Sequence, residues 1–284
     1  MRLVALILLS VGTAIAQSPA QKNPSDEKPN PESAKAIEDF KVDAAAYDIR
    51  LASRPKEKLV LHPEPLLHWG NPARTGEDGA VFAWLLDGRP EVIGSVFTYR
   101  LPKVIRRKHE YHSLAAEPLT AKYEGQTVWA PSAAGISFRP VPDAQPPAGS
   151  ARLRLTQMKS LARQFSARMV DRDGQRSELR LLANPLIRYE SPKRNILDGA
   201  LFSFSLGTDP EVILVLEAAG EKDHAAWQYA FARYHYIDLT AFHKDQQVWH
   251  VDTLPGIEGL EIGSPTYRDS AYATYHTKTT PVAE

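Results

Sequence analysis

The chain contains no cysteine. That excludes disulfides, thiolate zinc sites, iron–sulfur clusters, cysteine nucleophiles and a lipidated N-terminal cysteine. Net charge is also missing, with 34 Lys+Arg against 34 Asp+Glu. A dominant electrostatic grip on nucleic acid or an anionic membrane is thereby excluded. Beyond residue 16 no run approaches the roughly 18 apolar residues of a membrane-spanning helix. The phosphate-cradling patterns GxGxxG and GxxxxGKS/T, the GxSxG elbow and HExxH do not occur, so no cofactor and no metal site are expected. The closest histidine pairs, such as His109 and His112, fall in a strand-like segment whose alternation sends them to opposite faces.

What is present begins with an address. In residues 1–16, MRLVALILLSVGTAIA, a basic Arg2 precedes an apolar stretch and a small-x-small site ends at Ala16, the pattern of a cleaved signal peptide. The expected location is periplasmic or extracellular, through the secretory pathway. Residues 17–32 hold four prolines and no large apolar side chain, too little to offset ordering entropy, and read as a tether. The remaining chain, at 43% apolar and 24% charged overall, has ample core material.

The most informative feature is a duplication. Residues 65–93, PLLHWGNPARTGEDGAVFAWLLDGRPEVI, align without a gap on residues 185–213, PLIRYESPKRNILDGALFSFSLGTDPEVI, matching at 13 of 29 positions, where unrelated chains give roughly two. The same 120-residue shift aligns LTAKYEGQTVW (119–129) with LTAFHKDQQVW (239–249). Upstream, Ile37, Phe40, Ala44, Tyr47 and Leu51 follow helical spacing, with Ser33 placed as N-cap. Leu155, Met158, Ala162, Phe165 and Met169 repeat that spacing. Strand-like segments follow: Glu178–Tyr189, Ala200–Leu206, Glu211–Ala218, and Trp227–Trp249 broken near Leu239. Phe202, Phe204 and Leu206 alternate with Leu201, Ser203 and Ser205 as in a half-buried strand, while Val212 to Leu216 is apolar on both faces and reads as central.

The expected fold is therefore α+β: two tandem repeats, each a helix followed by a four- to five-strand antiparallel meander, packed with pseudo-twofold symmetry. The expected divisions are a signal peptide at 1–16, the tether at 17–32, unit 1 at 33–140, a proline-rich linker at 141–149, unit 2 at 150–262 and a loosely docked tail at 263–284. The runs LRLLANPLIRYE, DGALFSFSLGTDPEVILVLEA and RLRLTQMKSLARQFSA resemble a group of exported two-repeat proteins from planctomycete-type bacteria. The resemblance implies export and a two-unit layout, and transfers no activity.

Candidate site residues come from comparing the copies. Arg74/Arg194 and Asp78/Asp198 recur in the frame RxxxDGAxF. The structural reading has Asp capping a loop, Gly supplying positive φ and Arg pairing with Asp. The catalytic reading brings two Asp-Gly loops together as a proton-sharing dyad, although the Thr or Ser expected between Asp and Gly is missing. Glu91 and Glu211 also recur, each after a proline. Trp69/Tyr189 match in kind, as core or as sugar-stacking rings, and Trp129/Trp249 recur at strand ends. The copies differ at Lys103, Arg106, Arg107 and Lys108, a basic run that is either a solvated hairpin tip or an anchor for an anionic polymer.

These features favour an exported, non-enzymatic binding or envelope-associated protein with a ligand in the groove between repeats. Its partner would be an envelope glycan, an anionic polymer or another protein. The alternatives are an exported hydrolase of glycan or peptide using Asp78, Asp198, Glu91 or Glu211, and a purely structural envelope protein.

Overall fold

The computed structural model describes residues 31–71, 77–221, 224–255, 263 and 265–282. The expected signal peptide, nearly all of the expected tether and Arg74 lie outside the described residues. In chain order the elements are α1 (Pro31–Ala45), β1 (Tyr47–Leu51), β2 (Val60–Leu61), β3 (Leu67–Asn71), β4 (Glu77–Leu86), β5 (Arg89–Arg100), β6 (Val104–Ser113), β7 (Leu119–Tyr123), β8 (Gln126–Trp129) and β9 (Arg139–Pro140), followed by α2 (Ala151–Ala162), β10 (Phe165–Val170), β11 (Arg176–Leu181), β12 (Ile187–Ser191), β13 (Ile196–Leu206), β14 (Asp209–Ala219), β15 (Ala226–Arg233), β16 (Asp238–His243), β17 (Gln246–Val251), β18 (Pro265–Thr266) and β19 (Tyr272–Pro281).

The α+β expectation, a helix and a four- to five-strand meander in each of two repeats, is overturned. The chain is mostly β, with 54% strand and 11% helix, and its antiparallel sheets are large and curled. One reason lies at the helix ends. Helical spacing suggested helices running through Leu51 and Met169, yet α1 ends at Ala45 and α2 at Ala162. Beyond those ends the buried residues alternate as Tyr47, Ile49, Leu51 and as Phe165, Ala167, Met169, which is strand periodicity. The stretch read as one strand from Glu178 to Tyr189 is two, β11 and β12, and that from Trp227 to Trp249, read as broken near Leu239, is three, with breaks at residues 234–237 and 244–245.

Strand pairing gives three sheets. One has three strands in the order β1-β7-β8. The second has nine, β17-β16-β10-β11-β13-β14-β15-β9, with β12 also on β13. The third has seven, β18-β19-β6-β5-β4-β2, with β3 also on β4. The tail is not loosely docked: β19 pairs along β6 from Tyr272 opposite His112 to Pro281 opposite Val104. Sequence pattern hid it because Tyr272, Thr274 and His276 form a polar yet buried face.

Each large sheet is buried on both faces. Phe82, Trp84, Val92, Val96 and Tyr111 pack under α1 and the small sheet. Phe202, Phe204, Val212, Leu214 and Leu216 pack under α2, β10 and β16. The opposite faces meet each other through Trp69, Val81, Ile93 and Phe97 from the seven-strand sheet and Tyr189, Leu201, Ile213 and Val215 from the nine-strand sheet. Ser203 and Ser205, read as solvent-facing, are instead buried on that inner face and hydrogen-bonded to each other at 2.9 Å. The β4–β5 and β13–β14 hairpin tips clasp the opposite half. Ser191 donates to the Asp87 carbonyl at 2.8 Å, Lys193 pairs with Asp87 at 2.9 Å, and Thr208 donates to the Gly70 carbonyl at 2.7 Å.

The repeated Asp-Gly-Ala frame lies inside β4 and β13 rather than in loops. Neither Gly79 nor Gly199 has positive φ. Each faces an aromatic across the ladder, Trp69 opposite Gly79 and Tyr189 opposite Gly199. An added Cβ would sit 2.6 Å from the Trp69 or the Tyr189 ring, so glycine lets each ring lie on its neighbour's backbone. Gly199→Ala is expected to cost about 1–3 kcal/mol, read by denaturant unfolding; an unchanged midpoint would refute the ring-on-glycine account.

Candidate functional site

Strand alternation splits the basic run that sequence reading grouped together. Lys103 lies outside β6 and is exposed. Arg107 turns to the outer face, pairs with Asp43 at 3.0 Å and lies over the Phe40 ring of α1. Arg106 and Lys108 turn inward, with Glu110, toward the nine-strand sheet. The run is therefore not a continuous patch for a polyanion.

Nor do the recurrent carboxylates meet. Asp198 is fully buried on the outer face and accepts from Arg154 of α2 at 2.7 Å and from Arg188 at 2.6 Å. Asp78 pairs with His68 at 2.6 Å, the position corresponding to Arg188. Both lie on the faces that carry the separate cores, so the two Asp-Gly segments are not a dyad. Arg194 does not pair with Asp198; it reaches Glu91 in the other half at 2.9 Å. Glu91 and Glu211 are fully buried, and neither lines the cavity described below.

The inner faces carry two sites whose residues correspond under the 120-residue offset. In the first, Arg89 is 4% exposed. It donates to Glu217 at 2.8 Å, to Glu91 at 2.9 Å and to the Leu114 carbonyl at 3.0 Å, and lies over the Phe138 ring. Tyr189 donates to the same Glu217 oxygen at 2.8 Å and Gln228 to the other at 3.1 Å. Burial opposes the Arg89 charge, but Glu217 and Glu91 outweigh it and hold its pKa above the ordinary arginine value. Burial also pushes the Glu91 carboxyl up, more than Arg89 and Arg194 pull it down. This site is filled by its own side chains.

In the second, Asp209 stands where the first has Arg89, Phe97 where it has Glu217, and Trp69 where it has Tyr189. Aspartate and phenylalanine cannot rebuild that ion pair. A cavity of about 480 Å³ occupies the place, lined by Trp69, Phe97, Tyr99, Leu101, Arg106, Lys108, Glu110 and His276 from one side and by Met169, Asp171, Arg172, Asp173, Asp209, His235, Tyr236 and Ile237 from the other. Trp69 donates to Ser95 at 3.1 Å and packs on Phe97 with ring centroids 5.3 Å apart. Lys108 is buried, ion-paired with Glu110, and flanked by the Phe97 and Tyr236 rings at 5.5 Å each. Tyr272 donates to Glu110 at 2.9 Å. Asp171 accepts the backbone N–H groups of Asp173 and Gln175 within its own turn. Tyr99 and His276 Nε2 are hydrogen-bonded at 3.1 Å.

Of the candidate residues, the cavity unites Trp69, Arg106 and Lys108. Phe97, Asp209 and His276 were missed. The copies nonetheless carried a signal for the first two: at positions 89/209 and 97/217 one copy has a charge where the other has an opposite charge or a ring. All five tryptophans are buried or half-buried, which removes an open sugar-stacking face. Among the described residues Asp238, His250 and Asp252 cluster closely enough to hold a metal ion. Both His250 nitrogens are already engaged there, by Thr240 at 3.0 Å and by Asp252 at 3.1 Å, so the group closes on itself as a hydrogen-bonded cluster at the sheet edge. No helix among the described residues is long and apolar enough to cross a membrane. No protein-family model, curated protein or solved structure matches this chain.

Proposed function

We propose that this protein is an exported, non-enzymatic binding protein whose ligand occupies the cavity between the seven- and nine-strand sheets. The observation that carries this reading is that one of the two corresponding inner-face sites is closed by the Arg89–Glu217 ion pair, whereas the other is open, with aromatic walls and a volume of about 480 Å³. That volume falls in the range of small-molecule sites, which are typically apolar with a few placed polar groups. The N-terminal signal pattern supports export. A hydrolase using the recurrent carboxylates has no support from their placement, since Asp78 and Asp198 face away from the cleft and Glu91 is locked between two arginines.

The test is a thermal-shift screen of residues 17–284 against glycans, acyl lipids, aromatic acids, peptides and anionic polymers. A ligand at 100 times its dissociation constant stabilises by about 2.7 kcal/mol, several degrees for a chain of this size. The shift is expected with a small amphipathic compound and is expected to shrink in Leu101→Trp, which adds bulk at an exposed rim position. A shift produced only by polymers, and unaffected by Leu101→Trp, would refute the reading.

A further inference from the structure

Arg106 and His276 stand on the cavity wall with polar atoms that the protein itself does not satisfy. Arg106 Nε and His276 Nδ1 are buried and have no hydrogen-bond partner. His276 is 3% exposed. Buried polar atoms without partners are few in folded proteins, and each needs a reason. Two of the carboxylates lining the cavity are already answered. Glu110 takes Lys108 and Tyr272, and Asp171 takes the N–H groups of its turn. Arg106 pairs with no carboxylate among the described residues.

Both atoms are occluded, so it is the Arg106 guanidinium as a whole that the cavity wall offers a ligand. Guanidinium Nε–H can only donate. Burial, with the Lys108 and Arg106 charges beside it, pushes the His276 pKa down to about 4, so the ring is neutral at pH 7. The neutral ring carries one proton: when the Tyr99 hydroxyl donates to Nε2 that proton is on Nδ1, and when Nε2 donates to the hydroxyl Nδ1 is an acceptor. One charged donor group without a carboxylate partner, the Arg106 guanidinium, lies beside the Trp69, Phe97 and Tyr236 rings.

We infer that the ligand is an amphipathic organic anion, its acidic group held by the Arg106 guanidinium and its apolar body against Trp69, Phe97 and Tyr236. This rests on the cavity being the ligand site. A single acid group fits better than a polyanion, because Lys108 is committed to Glu110 and Arg107 to the outer face.

Two fluorescent dyes test it: anilinonaphthalene sulfonate and the neutral phenylnaphthylamine, which lacks only the sulfonate. The wild-type protein is expected to bind the sulfonate dye more tightly than the neutral one. Arg106→Gln is expected to weaken the sulfonate dye by about tenfold or more, the loss of a charge-assisted hydrogen bond, and to leave the neutral dye unaffected. Equal binding of both dyes by the wild type, or an equal loss of both in Arg106→Gln, overturns the anion while leaving the cavity as the site. Absence of binding by either dye overturns the cavity reading as well. The wild-type comparison stands independently of the folding of the variant.

Discussion

Replacing Arg89 with methionine is expected to lower the stability of the protein by about 3–5 kcal/mol, the usual cost of removing one partner of a buried ion pair. For a chain of this length that is a fall of roughly 6–20 °C in melting temperature. The reason is specific. Glu217 would keep Tyr189 and Gln228 as donors, but its buried charge would lose the cation that pairs with it among the described residues, and Glu91 would keep Arg194. Because Arg89 and Glu91 come from one large sheet and Glu217 and Arg194 from the other half of the chain, the loss also loosens the joint between them. The double variant Arg89→Met/Glu217→Gln is expected to lose less than the sum of the single losses, since it removes the stranded charge with its partner. Equilibrium unfolding in urea measures all three variants. A loss below about 1 kcal/mol in Arg89→Met would place the pair with ordinary surface ion pairs and contradict its role.

Acid is expected to destabilise the protein well before its carboxylates titrate. His112 is buried, and desolvation, with Arg233 adding to it against the Ser113 carbonyl, pushes its pKa down to about 4. His276 is lowered to about 4, and His109 and His243 are lowered, each chiefly by burial. The unfolded chain takes up these protons near pH 6.5, while the folded chain resists them. Stability is therefore fully present above pH 6.5 and declines as pH falls from there toward 4. For His112 alone the span corresponds to roughly 3 kcal/mol. Glu91, whose pKa is raised, acts in the opposite sense and offsets part of the decline. Melting temperatures measured from pH 8 to pH 4 should fall most steeply below pH 6.5. His112→Asn, which can still donate to the Ser113 carbonyl, should flatten the slope by about one proton. A plateau down to pH 4 would contradict the account.

The sequence revealed some of this architecture through internal comparison. Val212 to Leu216 is apolar on both faces because alternate residues serve two cores, one under α2 and one between the sheets. Other parts were illegible for physical reasons. A spacing of three and four residues carried the helical reading past Ala45 because Tyr47 and Leu51 fit both a helical stripe and an alternating strand. The glycines of the Asp-Gly-Ala frame looked like turn residues, and only the ladder partners Trp69 and Tyr189 show why a side chain is excluded. The strand β19 was hidden because its inner face is polar, and its polarity is explained only by the cavity and the ion pairs it faces. The charges at 103–108 form one run in the chain and three environments in space. The cavity joins Tyr99 to His276 across 177 residues, a contact that no local pattern announces.

The most direct test is a crystal structure of the protein with anilinonaphthalene sulfonate bound. The account predicts one dye molecule between Trp69, Phe97 and Tyr236, its sulfonate within hydrogen-bond distance of Arg106, and the Arg89–Glu217 site unchanged. A dye bound on an outer face, or a cavity left empty while dye binds elsewhere, would contradict it.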